Sequence, residues 1–396
     1  MKIRRSTLPA IALGCAAAAP LLFAGEPDPF QGLEAKPARA PAEDGGFFRE
    51  NFAFKKEVFS RFSYDLEKDV ASSRQSLGFE MLKKFSSPTA TFASVDFQGR
   101  LARRDGFVET PDDPMGESRR GWAFEVHNLY ADAYNLGDTP GRFNFRLGHF
   151  YLPLGLNLQT DTHGTLLQLS NDRNLGFDRD WYAGFWGSAG PDLRYDAYWL
   201  LGSGDDLSFR GQTGMIGTRL SLSGRHRNEE GLEGGLAVLG GQRISAEATE
   251  RSPSVAAVAG RDHAVGTLRA GPDVRYTFLV PTGSLALAAE LSAGHDGPDA
   301  VLTQLYQADY LTTGRRWGLS GQYRRFWQEI GAGRPLPPGF MSRDADASVF
   351  LELTRYFRND VANTTLDWVA LAVERRLERQ EGPTGTIVSL QYYHYW

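Results

Sequence analysis

From Phe54 to the C-terminus one pattern recurs. Segments of about ten residues alternate apolar and polar side chains, and Gly, Pro, Asn and Asp separate them. In residues 284–295, Leu285, Leu287, Ala289, Leu291 and Ala293 share one parity; Ala286, Ala288, Glu290, Ser292 and Gly294 share the other. In residues 346–357, Ala347, Val349, Leu351 and Leu353 oppose Ser348, Glu352 and Thr354. In residues 89–101, Thr91, Ala93, Val95 and Phe97 oppose Ser94, Asp96, Gln98 and Arg100. A β-strand turns successive side chains to opposite faces, so each segment is predicted to be a strand with one oily and one polar side.

Two architectures accept such strands. A soluble sandwich or β-helix packs the oily faces together; a membrane barrel turns them outward to lipid and keeps water inside. The polar faces here carry full charges (Asp96, Arg100, Glu290, Glu352), which suits a water-filled interior. The segment ends are rich in aromatics: Tyr323, Phe326 and Trp327; Trp181, Tyr182, Phe185 and Trp186; Tyr195, Tyr198 and Trp199. Tyr and Trp favour the headgroup level, because an apolar ring there carries a polar tip. With 44 Gly and 12% aromatics, the composition fits a large, turn-rich β protein, and no apolar run after residue 24 is long enough for a transmembrane helix. Backbone groups in hydrocarbon must pair with one another, so the sheet has to close. The expected fold is an all-β transmembrane antiparallel β-barrel with an inward-folded constricting loop.

Seventeen segments qualify as strands. They start near Phe54, Arg74, Thr89, Gly121, Arg142, Trp181, Asp192, Thr213, Gly231, Arg261, Pro272, Gly283, Ala300, Gly314, Ala345, Thr365 and Thr384. Bacterial single-chain barrels take even numbers, so 16 strands are expected, with 18 as the alternative. Gly271-Pro272-Asp273, Pro281-Thr282-Gly283 and Gly382-Pro383-Thr384-Gly385 read as short periplasmic turns; residues 105–120 and 331–344 read as external loops. The last residues, Val388 to Trp396, alternate and close on an aromatic. That ending resembles the final strand of bacterial outer-membrane barrels, with His394 at a position usually aliphatic or aromatic.

Residues 1–24 read as a cleaved secretory signal: Lys2, Arg4 and Arg5, an apolar stretch from Leu8 to Phe23, then Ala24 before a polar segment. A lipobox around Cys15 is the weaker reading, because the apolar run continues past it. Cleavage removes three of the 43 basic residues, none of the 48 acids and the single Cys, so the net charge moves from −5 to −8. A chain of that balance, without thiols, offers no basic face for nucleic acid and no thiolate ligands. Residues 25–53 read as a flexible periplasmic tail or partial plug, and residues 54–396 as the barrel.

The stretch from His149 to Asp180 is too long for a hairpin turn and follows a good strand at 143–151. Loops of this length inside a compact fold are usually functional. Asp161, His163, Asp172, Arg173, Asp178, Arg179 and Asp180 are the candidate constriction residues; Thr165–Leu169 reads as one helical turn. Asp96, Arg100, Arg146 and Glu290 are the candidate pore-lining residues. Charges of both signs across a narrow water path select permeants by charge and size. Ion-paired surface packing is the alternative for the same loop.

Gly148-His149-Phe150-Tyr151-Leu152-Pro153-Leu154-Gly155-Leu156, a Thr-rich segment, and then Asp172-Arg173-Asn174-Leu175-Gly176 resemble two elements of the phosphate-selective porin family, G-x-F-x-x-P-x-G-L and D-R-x-x-G. The resemblance covers about forty residues closely and implies a barrel of this class with a constricting loop. Leu154 stands where the family commonly has Phe. The family's anion selectivity depends on a ladder of basic residues, which the sequence does not display, so phosphate is not carried over as the permeant.

The seven histidines (127, 149, 163, 226, 263, 295 and 394) are spread singly, without the spacing of a metal site, and no G-x-S-x-G or C-x-x-C-H motif occurs. No cofactor and no catalytic residue is expected. Glu125 and His127 share a strand face, as a pore-lining pair or an isolated polar pair. Gly234-Gly235 and Gly240-Gly241 read as turn or close-packing positions, since no Lys-Ser/Thr follows. The leading expectation is an outer-membrane porin passing small hydrophilic solutes or ions by diffusion, in contact with outer-membrane lipid. The alternative is a barrel that sheathes a multihaem cytochrome or another periplasmic partner, and a third reading is a barrel enzyme acting on lipid. Porins of this size commonly trimerise through one flattened wall, so a homotrimer is a further expectation, with no interface legible here.

Overall fold

The computed structural model describes residues 51–87, 90–106, 122–156, 166–167, 174–175, 177–204, 207, 209, 214–222, 230–243, 264–329, 343–360, 365–378 and 385–396. Sixteen strands form one closed antiparallel barrel: β1 (Phe52–Asp65), β2 (Val70–Ser86), β3 (Thr91–Gly106), β4 (Trp122–Ala133), β5 (Asn144–Tyr151), β6 (Arg179–Ser188), β7 (Leu193–Leu200), β8 (Met215–Leu222), β9 (Gly231–Arg243), β10 (Val265–Val280), β11 (Gly283–Asp296), β12 (Asp299–Thr312), β13 (Trp317–Glu329), β14 (Arg343–Asp360), β15 (Thr365–Glu378) and β16 (Thr386–Tyr395). Each strand pairs with its neighbour in sequence, and β1 pairs with β16 from Glu57↔Tyr395 to Asp65↔Ile387. No sheet edge is left to satisfy.

The seventeenth segment disappears because the segments at Arg261 and Pro272 are one strand, β10, of 16 residues. Gly271-Pro272-Asp273 is therefore not a turn. Pro272 pairs with Leu236 of β9, and the β10–β11 register runs from Ala270↔Ala293 to Asp273↔Glu290 with the same offset on both sides. Proline's fixed φ fits an extended chain, and the β10–β11 pairing is open only at Gly271 and Pro272. Residues 281–282 do form a turn, between β10 and β11, on the rim that carries both ends of the barrel. The connection holding Gly382–Gly385 belongs instead to the opposite rim, together with those between β3 and β4 and between β13 and β14, which were read as external loops.

The faces are inverted relative to a soluble core. Ser94, Asp96, Gln98 and Arg100 of β3 are buried, whereas Val95 and Leu101 are more than 40% exposed. On β11 Glu290 and Ser292 are buried and Leu287 is exposed; on β14 Ser348, Glu352 and Thr354 are buried and Val349, Leu351 and Leu353 are exposed. Ala347 breaks its predicted parity and is buried beside Ser348, where the β15 partner strand carries one extra residue, Leu377, in its register with β14. Exposed aromatics mark strand ends at both rims, with Phe52, Phe54, Phe92, Trp317, Phe357 and Trp396 near the rim of the chain ends and Phe62, Tyr64, Trp122 and Phe124 near the other. The aromatic clusters of β6 and β7 divide by parity: Phe185 and Trp199 are exposed, and Tyr182 and Tyr198 are buried and stacked on each other.

The closing seam is tied on both faces. Inside, Arg61 Nε donates to Gln391 Oε1 (2.7 Å) and Ser63 meets Ser389 (2.8 Å). At the rim, Glu67 accepts from the Thr386 backbone and pairs with Arg375 (2.7 Å). The Thr386 N–H holds the Glu67 carboxyl below its ordinary value, against a smaller opposing effect of burial. A carboxylate depressed in the folded state contributes stability above its unfolded value, and that contribution fades as pH falls through the folded one. Acidification should therefore lower the unfolding midpoint slightly more in the wild type than in Glu67→Gln, measured by loss of heat-resistant migration across a pH series. Equal pH profiles would remove Glu67 from the seam.

Candidate functional site

The segment after β5 does not bridge to β6 over the rim; it enters the barrel. Gly155 takes φ +75°, and a Cβ there would overlap the Glu290 carboxylate, so only glycine lets the chain turn at this point. Leu156 N–H then donates to Glu290 Oε2 (3.1 Å). Glu290 is on β11, far from β5 around the wall, so this contact runs through the interior. Leu166 goes further. It packs, 1% exposed, against Phe59 of β1, Phe350 of β14, Trp368, Ala370 and Ala372 of β15 and Tyr393 of β16. The Leu166 main chain also lies against the Glu352 carboxylate.

The return leg is clamped by guanidinium groups. Arg269 donates to Asn174 Oδ1 (2.7 Å) and to the Asn174 carbonyl (2.9 Å), and Arg243 donates to the Leu175 carbonyl. Both arginines share Asp296, at 2.8 Å and 3.1 Å. At its base the loop builds an apolar core with the near wall: Leu152, Leu154, Leu175 and Phe177 pack on Tyr182, Tyr198, Leu200, Met215, Ala237 and Leu239. Leucines buried at both ends thus stretch the segment across the lumen. Each such side chain is worth about 2–3 kcal/mol of burial.

The candidate constriction residues fall into two groups. Asp161, His163, Asp172 and Arg173 lie outside the described residues, as does most of the expected helical turn; Leu166 and Leu167 form a bend. Asp178, Arg179 and Asp180 are described, and each is held in a structural contact. Arg179 pairs with Asp178 (3.2 Å), donates to the Tyr151 hydroxyl and lies over its ring (4.1 Å). Asp180 accepts from the backbones of Trp181, Gly202 and Ser203 and so caps the connection between β7 and β8.

The four candidate lining residues all sit on the inward parity. Arg100 makes a two-pronged pair with Glu57 (2.6 Å to each oxygen), and its third nitrogen meets His127 Nδ1 (2.9 Å). Glu125 and His127 are not isolated: Glu125 lies 3.6 Å from His127 and takes Arg74 at 3.2 Å, so β1 to β4 share one network. Arg146 grips Asp132 (2.7 and 2.8 Å) and stacks on Phe150 (3.9 Å) and Tyr130 (4.4 Å). Asp96 stands near this group, with Glu80, Arg146 and Asp132 acting on it electrostatically.

Sequence reading missed most of the inward arginines. Arg61 faces Arg74 directly across β1–β2, and Arg219 pairs with Asp273 (2.7 Å) across β8–β10. Their signal was present: each occupies the parity opposite exposed apolar side chains. Arginine is therefore abundant on the inner face, but it is interleaved with carboxylates rather than arrayed as an unopposed basic strip. Among the described residues buried acids outnumber buried arginines. Among the described residues no three His, Cys, Asp or Glu side chains converge as a metal site.

No family model matches the chain, and no curated protein matches it. Solved structures do. OprB of Pseudomonas putida, in its high-pH structure, aligns at TM-score 0.57 and 10% identity over 87% of this chain and 94% of that one. Salmonella typhi OmpF in complex with daunomycin gives 0.53 and 10% over 87% and 97%. The in-vitro folded trimer form of OmpT, an outer membrane protein of Vibrio cholerae, gives 0.51 and 9% over 87% and 99%. The fold is porin-like. At such identities the likeness concerns the path of the chain and carries no residue-level assignment.

Proposed function

We propose that the protein is an outer-membrane porin through which small hydrophilic solutes and ions diffuse. The observation that carries this reading is the β5–β6 segment, which crosses a charged interior and docks Leu166 on the far wall. A wall that is oily outside and ionic inside gives water a path through lipid, and a segment pinned across that path narrows it. Asp161, His163, Asp172 and Arg173 belong to that segment and are proposed to face the remaining opening. Residues 1–24 are proposed to direct export. The trimer form of one structural neighbour makes a homotrimer the proposed assembly. A sheath around a second protein would need the interior that the crossing segment occupies.

Single-channel recording in planar bilayers tests the channel reading. Discrete, ohmic conductance steps are expected; a folded barrel that inserts and passes no current would sink it. Selectivity follows from the lining. Arg100, Arg146, Arg219, Arg243 and Arg269 each have a carboxylate beside them, and buried acids are in excess among the described residues, so a salt gradient should give a small reversal potential of cation-preferring sign. A strong anion preference would show that an unopposed basic strip controls the pore.

A further inference from the structure

The inner face of β2–β4 holds a group of oxygens that the ion pairs described above do not use. Asp96 is 3% exposed, and its Oδ1 accepts no hydrogen bond among the described residues. Its carboxyl is in hydrogen-bond contact with the Glu80 carboxyl. Two carboxyl groups in contact cannot both stay ionised without something positive between them, a proton or a cation. Glu80 receives the Tyr395 hydroxyl, a neutral donor that leaves its charge in place. Arg146 does not cancel these charges, because it gives both prongs to Asp132 (2.7 and 2.8 Å). Lys55, opposite Glu80 in the β1–β2 register, sets one positive charge against two negative.

Amide oxygens lie beside the two acids. The β3–β4 register skips one residue: Gln98 pairs with Asn128, but Gly99 pairs with Val126. The extra residue is His127, and such a bulge leaves two successive side chains, His127 and Asn128, on one side of the sheet. His127 is buried and turned to Arg100. Asn128 donates through Nδ2 to the buried Gln98 (3.3 Å), and its own Oδ1 is left buried with no partner among the described residues. In the register Gln98 lies between Glu80 and Asn128, and Asp96 is the next inward residue along β3. Side chains at such direct and diagonal positions have Cβ atoms roughly 5 to 8 Å apart, within reach of one shared ion.

We infer that Glu80, Asp96 and Asn128, with Gln98 beside them, are the ligands of a hard divalent cation of the calcium type. The donors are all oxygens, carboxylate and amide, which is the set that calcium takes, with water completing a shell of about 6–8. Two acids with amides differ from a convergence of three acids, which the described residues lack. A magnesium ion demands a near-ideal octahedron and gives up its water reluctantly, so donors spread over three strands suit it less. The charge of the ion replaces the proton that the touching carboxyl groups would otherwise have to share. The bound ion ties β2, β3 and β4 together next to the bulge.

Calorimetric titration tests the assignment. The folded protein in detergent, stripped of metal with EDTA and dialysed to neutral pH, is titrated with CaCl2 and separately with MgCl2. One calcium per chain is expected, bound more tightly than magnesium, with an unfolding midpoint that rises with calcium concentration. Asp96→Asn and Glu80→Gln should each weaken calcium binding by at least about tenfold, since affinity follows ligand charge. Asn128→Ala leaves both charges and should weaken it several-fold. Asp309→Asn should not change it, because that acid is already supplied by Gln307 and Ser320 (2.7 Å each). Absence of calcium heat, magnesium bound as tightly, or calcium binding unchanged in both Asp96→Asn and Glu80→Gln would overturn the assignment. So would a metal-free Asp96→Asn more stable than a wild type that calcium does not affect, because the pair then shares a proton. A barrel that binds calcium and passes no current would overturn the channel reading alone, whereas one that conducts without binding calcium would overturn this inference alone.

Discussion

Leu166→Asp should raise single-channel conductance and current noise while leaving the barrel folded. Leu166 is the far anchor of the crossing segment, sunk among Phe59, Phe350, Trp368 and Tyr393. Replacing a buried leucine by alanine costs about 2–5 kcal/mol, and a buried, unpaired carboxylate costs more, with Glu352 nearby to repel it. A loss of about 3 kcal/mol shifts a docked–undocked equilibrium by roughly two powers of ten. No strand ladder passes through Leu166, so the closed sheet and its resistance to heat should survive. Leu166→Met, which keeps the volume, should conduct as the wild type does. Identical conductance and noise in Leu166→Asp would mean that the crossing segment does not set the width of the path.

Arg100→Ala should be the most destabilising single change in the wall, by about 3–5 kcal/mol in equilibrium urea unfolding from detergent micelles. Arg100 and Glu57 are 0% and 2% exposed in their side chains. Removing the guanidinium takes both prongs from the buried Glu57 carboxylate, which also accepts from the Tyr393 hydroxyl (3.2 Å), and takes one contact from His127. Arg100→Lys should recover only part of the loss, because an ammonium cannot make the two-pronged contact. The double change Glu57→Gln with Arg100→Gln should recover more, since it removes both charges together. A loss below about 1 kcal/mol for Arg100→Ala would place the pair in open water, where ion pairs are worth little.

The strand pattern was legible because period two is imposed locally, on every segment, by the pleat. Leu285 to Ala293 could be assigned to faces without knowing any partner. What failed were places where a local signal was overruled by pairing. Gly271-Pro272-Asp273 has turn composition, yet β9 supplies a full set of partners for it and the strand continues. Ala347 has the parity of an outward row in sequence, yet it is buried where β15 carries an extra residue against β14. The fixed neighbours of Asp178, Arg179 and Asp180 are a separate matter: they come from other parts of the fold, and no spacing rule reveals them. The inward arginines were missed for the same reason. Which inward side chains meet is a property of neighbouring strands, and Arg61 and Arg74 become neighbours only once the β1–β2 register is known. The anchoring of Leu166 depends on contacts between β1, β14, β15 and β16 and the β5–β6 segment, which no linear reading brings together.

The claim beneath all of this is that adjacent positions on one strand meet different solvents. Cysteines placed one at a time along β11 from Leu285 to Ala293, in vesicles and with a membrane-impermeant maleimide, test it most directly. The account predicts alternation: labelling at Ala286, Ala288, Glu290 and Ser292 as far as their neighbours allow water in, and none at Leu285, Leu287, Ala289, Leu291 and Ala293, which lipid should shield. Labelling in the reverse phase, or uniform labelling along the strand, would contradict it.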